Sequence, residues 1–118
     1  MELTDESPLS ESGLDAIFGA LATERRRSIV RCLADHGSPL TLDVLADVLA
    51  SAEHSAGTER PNSEAVDEVY TSLYHVHLPK LADAGIVEYD RQGDTVSRAE
   101  HADAAIGLLH PPQTALSG

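Results

Sequence analysis

Four of the eight basic residues in this 118-residue chain fall within one short stretch: Arg25, Arg26, Arg27 and Arg31. Guanidinium groups bind phosphate oxygens in a bidentate geometry, and the N-terminus of a helix also attracts phosphate. The stretch therefore favours contacts between a phosphate backbone and Arg25, Arg27 and Arg31. The alternative is pairing within the chain, in which Arg27 meets Glu24 at i, i+3 and at least one arginine packs its stem on the core.

A second group of polar residues lies on a helix predicted over residues 63–84. Thr71, Ser72 and His75 point outward in helical phase, and Tyr74 flanks them. Such side chains hydrogen-bond to base edges or to phosphates, which makes this face a candidate surface for binding duplex DNA. The alternative is a solvated helix face with no partner.

Two further places supply candidate contacts. Arg91 and Gln92 form the tip of a predicted hairpin, from which they reach the minor groove or the backbone of a duplex. Because Asp90 and Asp94 flank the tip, a solvated turn is an equally good interpretation. Lys80, the only lysine of the chain, completes the set of candidate DNA contacts.

The histidines and the single cysteine suggest a metal site, but their spacing argues against one. His75 and His77 lie at i, i+2 and so on different helix faces, whereas helical ligand pairs use i, i+3 or i, i+4. We expect His77 to be a hydrogen-bonded core or interface residue and Cys32 a small buried hydrophobe. No phosphate-binding loop, nucleophile elbow or metalloprotease motif occurs. The sequence predicts no metal site, no cofactor and no enzymatic activity.

Acidic residues dominate the charge balance: 20 oppose 8 basic residues, for a formal net charge of -12. This pattern is typical of halophilic proteins, because at molar salt the Debye length falls to ~3 Å and carboxylates repel one another little. The alternative is an ordinary acidic protein of a mesophile. In a halophile acidity does not exclude DNA binding, although Glu64, Asp67 and Glu68 on the predicted helix cannot approach phosphates without a cation between.

Composition favours a single, mostly helical domain over residues 12–110, with disordered tails at 1–11 and 111–118. Hydrophobic residues make up 42% of the chain, but aromatic residues only 3%, so the core must be aliphatic. No stretch reaches the ~18 apolar residues of a membrane span, and no secretion signal is present. With one cysteine, the chain is expected in the reducing cytoplasm, without membrane contact.

Apolar spacing and capping residues predict five helices and one hairpin. The helices are one with Leu14, Ile17, Phe18 and Leu21 at i, i+3, i+4, i+7, one over about Thr23–Asp35 with Thr23 as its cap, one after a Thr41 cap, one over 63–84 after an Asn62–Ser63 cap, and one after a capping box at Ser97–Glu100. Pro79 should kink the fourth helix near His75–His77, and Gly85 should end it in a Schellman motif. The hairpin spans 87–97, and a loop is expected between Ala50 and Ser63.

Three helices followed by a hairpin is the order of a winged helix-turn-helix. The predicted fold class is therefore mainly α with a small β-hairpin: a winged helix-turn-helix with extra N- and C-terminal helices. Four segments, Leu14–Phe18, Glu24–Arg27, Leu40–Ala46 and Tyr74–Tyr89, also resemble small haloarchaeal winged-helix domains related in layout to ArsR- and MarR-type regulators. The last contains His-x-His-Leu-Pro-Lys-Leu-x-x-x-Gly, and the resemblance covers about residues 13–98.

These features predict a homodimeric transcriptional regulator that binds double-stranded DNA, with helix 63–84 in the major groove and the 87–97 hairpin as the wing. Apolar residues of the first and last helices are expected to bury surface between two copies: Leu14, Ile17, Phe18, Ile106 and Leu109. The alternative is a winged helix that docks on another regulatory protein and never contacts DNA. The acidic start of helix 63–84 favours this alternative, whereas the arginine stretch and the wing favour DNA.

Overall fold

The computed structural model describes residues 11–53 and 62–109. The elements of these two stretches are α1 (Glu11–Ala20), α2 (Glu24–His36), β1 (Leu40–Thr41), α3 (Leu42–Glu53), α4 (Ser63–Ser72), a π-helical segment (Leu73–His77), α5 (Leu78–Asp83), β2 (Val87–Asp90), β3 (Thr95–Arg98) and α6 (Ala102–Leu109). The predicted tails lie outside the described residues, except that Glu11 begins α1. The part of the chain described is thus mainly helical, as expected.

The strands form one antiparallel sheet in the order β1-β3-β2. In its register, Val96 of β3 lies between Leu40 of β1 and Tyr89 of β2, and Val96 is fully buried. The sequence predicted only the two-stranded hairpin, and that prediction was incomplete. Since β1 is two residues long, it is too short to show the alternation by which a strand is recognised.

Side-chain caps begin α3 and α4 where the sequence predicted them. The Val44 amide donates to Thr41 Oγ1 at 3.2 Å, and the Ala65 amide donates to Asn62 Oδ1 at 2.8 Å. Thr23 occupies the N-cap position of α2 as expected, but its side chain makes no capping hydrogen bond.

The predicted helix 63–84 is helical along its length, but it is not one regular α-helix. Its middle turn, Leu73–His77, is π-helical, and the Leu78 amide donates to the Leu73 carbonyl, five residues back. This wider turn ends at His77, two residues before Pro79, whose missing N–H interrupts the α-helical ladder at this point. The helix is thus irregular where the kink was predicted, near His75–His77, and the irregularity is a π segment. The bend of the helix axis itself stays a prediction.

A Schellman motif ends α5, as the sequence predicted. The Ile86 amide donates to the Leu81 carbonyl at 3.0 Å, and the Gly85 amide donates to the Ala82 carbonyl at 2.9 Å. Gly85 has φ +76°, and a Cβ there would lie 2.7 Å from His101 Cδ2. The turn thus requires glycine for its backbone conformation and for the close approach of the segment leading into α6.

The prediction that a capping box at Ser97–Glu100 begins the last helix was wrong. Ser97 belongs to β3, where it pairs with Glu88, and α6 begins only at Ala102. Backbone hydrogen bonds fix the intervening residues, because the Ala99 and His101 amides donate to carbonyls in the turn after α5. Strand pairing therefore takes precedence over local capping at Ser97.

The core is aliphatic and draws on nearly every element. Its largest fully buried side chains are Ile17, Ile29, Leu33, Leu42, Leu45, Leu49, Leu73, Leu78, Leu81 and Ile86. Ile17 is 0% exposed, so the prediction that it contacts a second copy was wrong. The inner face of α1 uses Ile17 to pack on the core of its own chain.

Candidate nucleic-acid interface

Arg25 links α2 to the end of α3 and to α4. Its guanidinium donates to both carboxylate oxygens of Glu53, at 2.7 and 2.5 Å, to those of Glu68, at 3.3 and 3.2 Å, and to Ser72 Oγ at 2.9 Å. These four residues are called the Arg25 cluster below. The hydrogen bond to Glu53, and then that to Glu68, raise the pKa of Arg25 against the opposing effect of burial. The five contacts use all five N–H donors of the side chain.

The Arg25 cluster bears on two predicted DNA contacts. Arg25 pairs with carboxylates of its own chain, as the alternative interpretation of the arginine stretch predicted. A phosphate would have to displace Glu53 or Glu68 to reach its guanidinium. Ser72 is engaged in the same cluster. No local pattern in the sequence indicates these partners, because Glu53 and Glu68 lie 28 and 43 positions from Arg25.

The neighbouring arginines turn back over the α1–α2 connection. Arg26 is 9% exposed and donates from Nε to the Ala20 carbonyl at 2.6 Å. This confirms that one arginine packs on the core. Arg27 donates from Nη1 to the Leu21 carbonyl at 2.8 Å, and this bond replaces the predicted pair with Glu24.

Two other predicted DNA contacts lie apart from the α4 face. Arg31 is half-buried and lines a groove of about 200 Å³ between α2 and α3, together with Asp35 and Ala52. Lys80 is exposed beside a groove of about 250 Å³ between α5 and Gly19 of α1. The structure does not bring these two cations together with Thr71 and its neighbours.

Tyr74 joins the helix to the hairpin. Its ring meets that of His75 edge-on at a centroid distance of 4.8 Å and that of Tyr89 at 5.9 Å. The Arg91 guanidinium carbon lies 5.8 Å from the centre of the same ring, in a cation–π contact. Tyr74, His75, Tyr89 and Arg91 are called the Tyr74 cluster below. The structure thus brings three sequence-predicted residues together, with Thr71 exposed one turn earlier on the helix.

Asp94 joins the hairpin to α4 and α3. Tyr70 donates its hydroxyl to Oδ2 at 2.9 Å, Tyr89 donates to Oδ1 at 2.7 Å, and the Leu42 amide donates to the Asp94 carbonyl at 2.9 Å. Tyr70, Tyr89 and Asp94 are called the Asp94 cluster. The hydrogen bond to Asp94 raises the pKa of Tyr70, and burial followed by the same kind of bond raises that of Tyr89.

The Asp94 cluster was not predicted from the sequence, in which Asp94 reads as the flank of a solvated turn. That interpretation holds better for the turn residues before it, since Arg91, Gln92 and Gly93 are exposed. Asp94 has φ +55°, a conformation that aspartate tolerates better than most residues. Its residue type fits the turn, but nothing local in the sequence indicates the two tyrosine partners.

The two adjacent histidines have different surroundings. His75 is exposed, whereas His77 is half-buried with Nδ1 3.2 Å from Arg26 Nη1. Burial, and then the positive charge of Arg26, lower the pKa of His77. His77 is therefore the hydrogen-bonded residue that the sequence predicted.

Cys32 is buried, as expected, and burial raises the pKa of its thiol to about 11. Since the thiolate is the reactive form, this thiol is a weak nucleophile and a weak metal ligand at neutral pH. Across residues 11–53 and 62–109, no three histidine, cysteine or acidic side chains group closely enough to hold a metal ion.

The apolar residues predicted at a dimer interface have different exposures. Leu14 is 36% and Phe18 53% exposed on the outer face of α1, whereas Ile106 and Leu109 are half-buried against the core. Leu108, which is not among the predicted interface residues, is 42% exposed on α6. An exposed apolar surface therefore remains on α1 and at the end of α6.

The described structure defines a small domain of helices with a three-stranded antiparallel sheet. Residues 18–97 match the family model of a domain of unknown function (DUF7344), and the chain belongs to that family. The match runs from α1 into β3, so it includes the Arg25, Tyr74 and Asp94 clusters. No curated protein and no solved structure matches the chain. Among the helices described, none has the length and apolar character needed to cross a membrane.

Proposed function

We propose that this chain is a winged helix-turn-helix regulator that binds double-stranded DNA in the cytoplasm of a halophilic archaeon. In this proposal α4 and the π segment enter the major groove, and the β2–β3 hairpin is the wing. The Tyr74 cluster is the observation that carries the proposal, because it places a helix residue, His75, and a wing residue, Arg91, around one tyrosine ring. The element order from α2 to β3 supports it as well.

Charge decides which half of the helical face approaches the duplex. Glu64 and Asp67 are exposed near the start of α4, and Glu68 is neutralised in part by Arg25. The half that carries Thr71 and His75 is closer to the wing and lies beyond these carboxylates. DNA therefore approaches from the wing side, and cations bridge any carboxylate that faces phosphate.

The test is fluorescence anisotropy with a duplex from the upstream region of the protein's own gene and a scrambled duplex, from ~0.5 to ~3 M KCl, where screening is nearly complete. In ordinary DNA binding, the logarithm of the association constant falls linearly with the logarithm of the salt concentration, with a slope of about -0.9 for each phosphate that the protein neutralises. Here cation uptake offsets that release, so affinity should change little with KCl. Glu68→Lys should restore a steep salt penalty.

Substitutions distinguish base contacts from charge. Thr71→Ala and His75→Ala should each reduce discrimination between the two duplexes, by roughly 1–3 kcal/mol for a good base contact. Arg91→Ala should weaken both duplexes alike, as loss of a phosphate contact does. Lys80→Ala, which removes one charge at a site beside α1, is the matched control and should change neither affinity. If neither Thr71→Ala nor His75→Ala alters discrimination between the duplexes, α4 and the π segment are not the DNA-reading element.

A second copy of the chain is the proposed partner at the exposed face of α1 and the end of α6. Phe18 is the only phenylalanine in the sequence, and more than half of it is exposed. Phe18→Ser should therefore convert a dimer to a monomer without a loss of folding. Light scattering in molar KCl measures this, and a monomeric wild-type chain at tens of micromolar would refute the dimer.

The α4 face also favours a second candidate, a module that binds another regulatory protein. Glu64, Asp67, His75 and Val76 line a shallow groove of about 440 Å³, and Val76 is 48% exposed. Carboxylates around an exposed apolar residue fit a partner with basic and apolar side chains better than they fit phosphate. A folded chain that binds neither duplex at any KCl concentration would favour this candidate.

A further inference from the structure

We propose that Asp94 is the positioning residue that fixes the β2–β3 hairpin against α4 and so sets where Arg91 meets DNA. The role in DNA binding rests on the proposed function. The positioning itself is a property of the free protein and can be measured without DNA.

The Asp94 cluster connects three elements through one side chain and its backbone. Tyr70 belongs to α4, Tyr89 belongs to β2, and Leu42 is the first residue of α3. Each carboxylate oxygen of Asp94 accepts one tyrosine hydroxyl, and the carbonyl accepts the Leu42 amide. The turn that begins the third strand is therefore tied to both helices of the proposed helix-turn-helix.

Aromatic contacts connect the Asp94 cluster to the wing tip. Tyr89 contacts the Tyr74 ring, and Tyr74 contacts Arg91. Tyr70 lies one helical turn before Tyr74, so α4 carries the tyrosine that bonds to Asp94 and the π segment carries the ring that contacts Arg91. A shift of the hairpin relative to α4 would break the Tyr70–Asp94 hydrogen bond and would move Arg91 off the Tyr74 ring together.

Aspartate suits this position for two reasons. As a carboxylate it accepts at both oxygens, and hydrogen bonds from hydroxyls to a charged acceptor are stronger than neutral ones. It also tolerates φ +55°. An acidic residue beside a proposed DNA-binding tip would otherwise only repel phosphate, so positioning gives a physical reason for a carboxylate there.

Tyr70→Phe and Tyr89→Phe form a matched pair of test variants. Each removes one hydroxyl and one hydrogen bond to the same carboxylate. Tyr70→Phe cuts the connection between α4 and the hairpin, whereas Tyr89→Phe cuts a bond within the hairpin and keeps its ring beside Tyr74. A purely stabilising role predicts similar effects, and a positioning role predicts different ones.

The first measurement is amide hydrogen exchange of the free, full-length protein in molar KCl. The Leu42 amide reports on the hairpin turn, because it donates to the Asp94 carbonyl, and the Leu33 amide in α2 reports on global unfolding. We expect Tyr70→Phe to speed exchange at Leu42 at least tenfold more than at Leu33. Tyr89→Phe should affect the two amides to a similar degree.

The second measurement is a double-mutant cycle on DNA binding. Arg91→Ala should weaken binding of the wild-type chain but should add no further loss in the Tyr70→Phe background. In the Tyr89→Phe background, Arg91→Ala should still weaken DNA binding. Asp94→Asn, which keeps an acceptor oxygen and the turn conformation, should retain part of the coupling.

Two results would overturn the proposal: equal exchange profiles for the two tyrosine variants, or an Arg91 contribution that is the same in the wild-type, Tyr70→Phe and Tyr89→Phe backgrounds. A wild-type chain that binds no duplex refutes the proposed function instead. In that case the exchange experiment alone decides whether Asp94 positions the hairpin.

Discussion

The Arg25 cluster and the Asp94 cluster connect α4 to other elements by different means. Arg25 contributes one cation between two carboxylates, and the Glu53 and Glu68 side chains are 38% and 64% exposed. Asp94 contributes one half-buried carboxylate that accepts from two neutral hydroxyls. The first cluster is held by the attraction of opposite charges, and the second by hydrogen bonds to a single charge.

This difference determines what each cluster responds to. Salt screens attraction between exposed charges, so the Arg25 cluster should weaken as KCl rises. Short hydrogen bonds from neutral donors are nearly independent of salt. At molar KCl the Asp94 cluster should thus be the more dependable connection to α4.

The largest expected effect is that of Asp94→Ala. It removes both tyrosine acceptors and puts alanine at positive φ, and should lower the free energy of unfolding by about 3 kcal/mol, since hydrogen bonds to charged groups contribute roughly 1.5–3 kcal/mol each. Asp94→Asn, the control, should lose about 1 kcal/mol. Urea unfolding in ~2 M KCl, with most exposed charge screened, measures both. Equal losses below about 0.5 kcal/mol would show that the cluster contributes little to stability.

Arg25→Met comes next and tests the salt contrast directly. Removal of the cation leaves Glu53 and Glu68 unbalanced, and should lower the free energy of unfolding by roughly 1–2 kcal/mol in ~0.1 M KCl. In ~2 M KCl the loss should fall by about half, because the remaining carboxylates repel less. Tyr70→Phe is the control whose cost should not change between the two salt concentrations. If both costs are independent of salt, the distinction between the clusters fails.

The sequence predicted those features that depend on neighbours along the chain. Thr41 and Asn62 cap helices within three residues, and Gly85 ends α5 through the turn just before it. The core followed from apolar spacing, with Ile17 assigned to the wrong surface. Helical phase shows which face of α1 is apolar, but it does not show how much of that face the chain covers for itself.

The candidate site was predictable only in part, for a physical reason. Tyr74, His75 and Arg91 were identified by residue type and position, and the structure brings them together. The partners of Arg25 and Asp94 were not, since they lie far away in sequence and no periodic pattern connects them. Arg25 has no acidic partner among its neighbours in the sequence that would exclude a phosphate contact, so it was predicted to bind phosphate. In the structure, carboxylates of two other helices already bind it.

A smaller, pH-dependent effect is expected at His77, the last residue of the π segment. Its Nδ1 accepts from Arg26, and protonation would replace this bond with repulsion between two cations. The folded-state pKa is lowered below the ordinary 6.5 by burial and by Arg26. The folded chain then binds fewer protons than the unfolded chain, so the stability from neutral His77 is complete above about pH 6.5 and is lost as pH falls through the folded-state pKa.

Urea unfolding from about pH 7.5 to about pH 5 checks this expectation, in a window chosen around the ordinary pKa of histidine. His77→Gln keeps an acceptor and does not titrate, and should remain flat where the wild type declines. His75→Gln, which changes the exposed central residue of the π segment, is the matched control and should decline as the wild type does. A wild type and His77→Gln with parallel pH profiles would contradict the assignment.

The smallest effect on stability is expected at Arg91, and it separates binding from folding most cleanly. The Arg91 guanidinium contacts the Tyr74 ring from an exposed turn, where a cation–π contact contributes about 0.5–1 kcal/mol at most. Arg91→Ala should therefore leave the unfolding midpoint almost unchanged while it weakens DNA binding, whereas Asp94→Ala reduces both. Arg91→Lys keeps the charge but loses the planar group that stacks on tyrosine, and should restore only part of the affinity. Equal affinity of the alanine, lysine and wild-type chains would mean that the hairpin tip does not meet DNA, and that the Asp94 cluster positions it for another purpose.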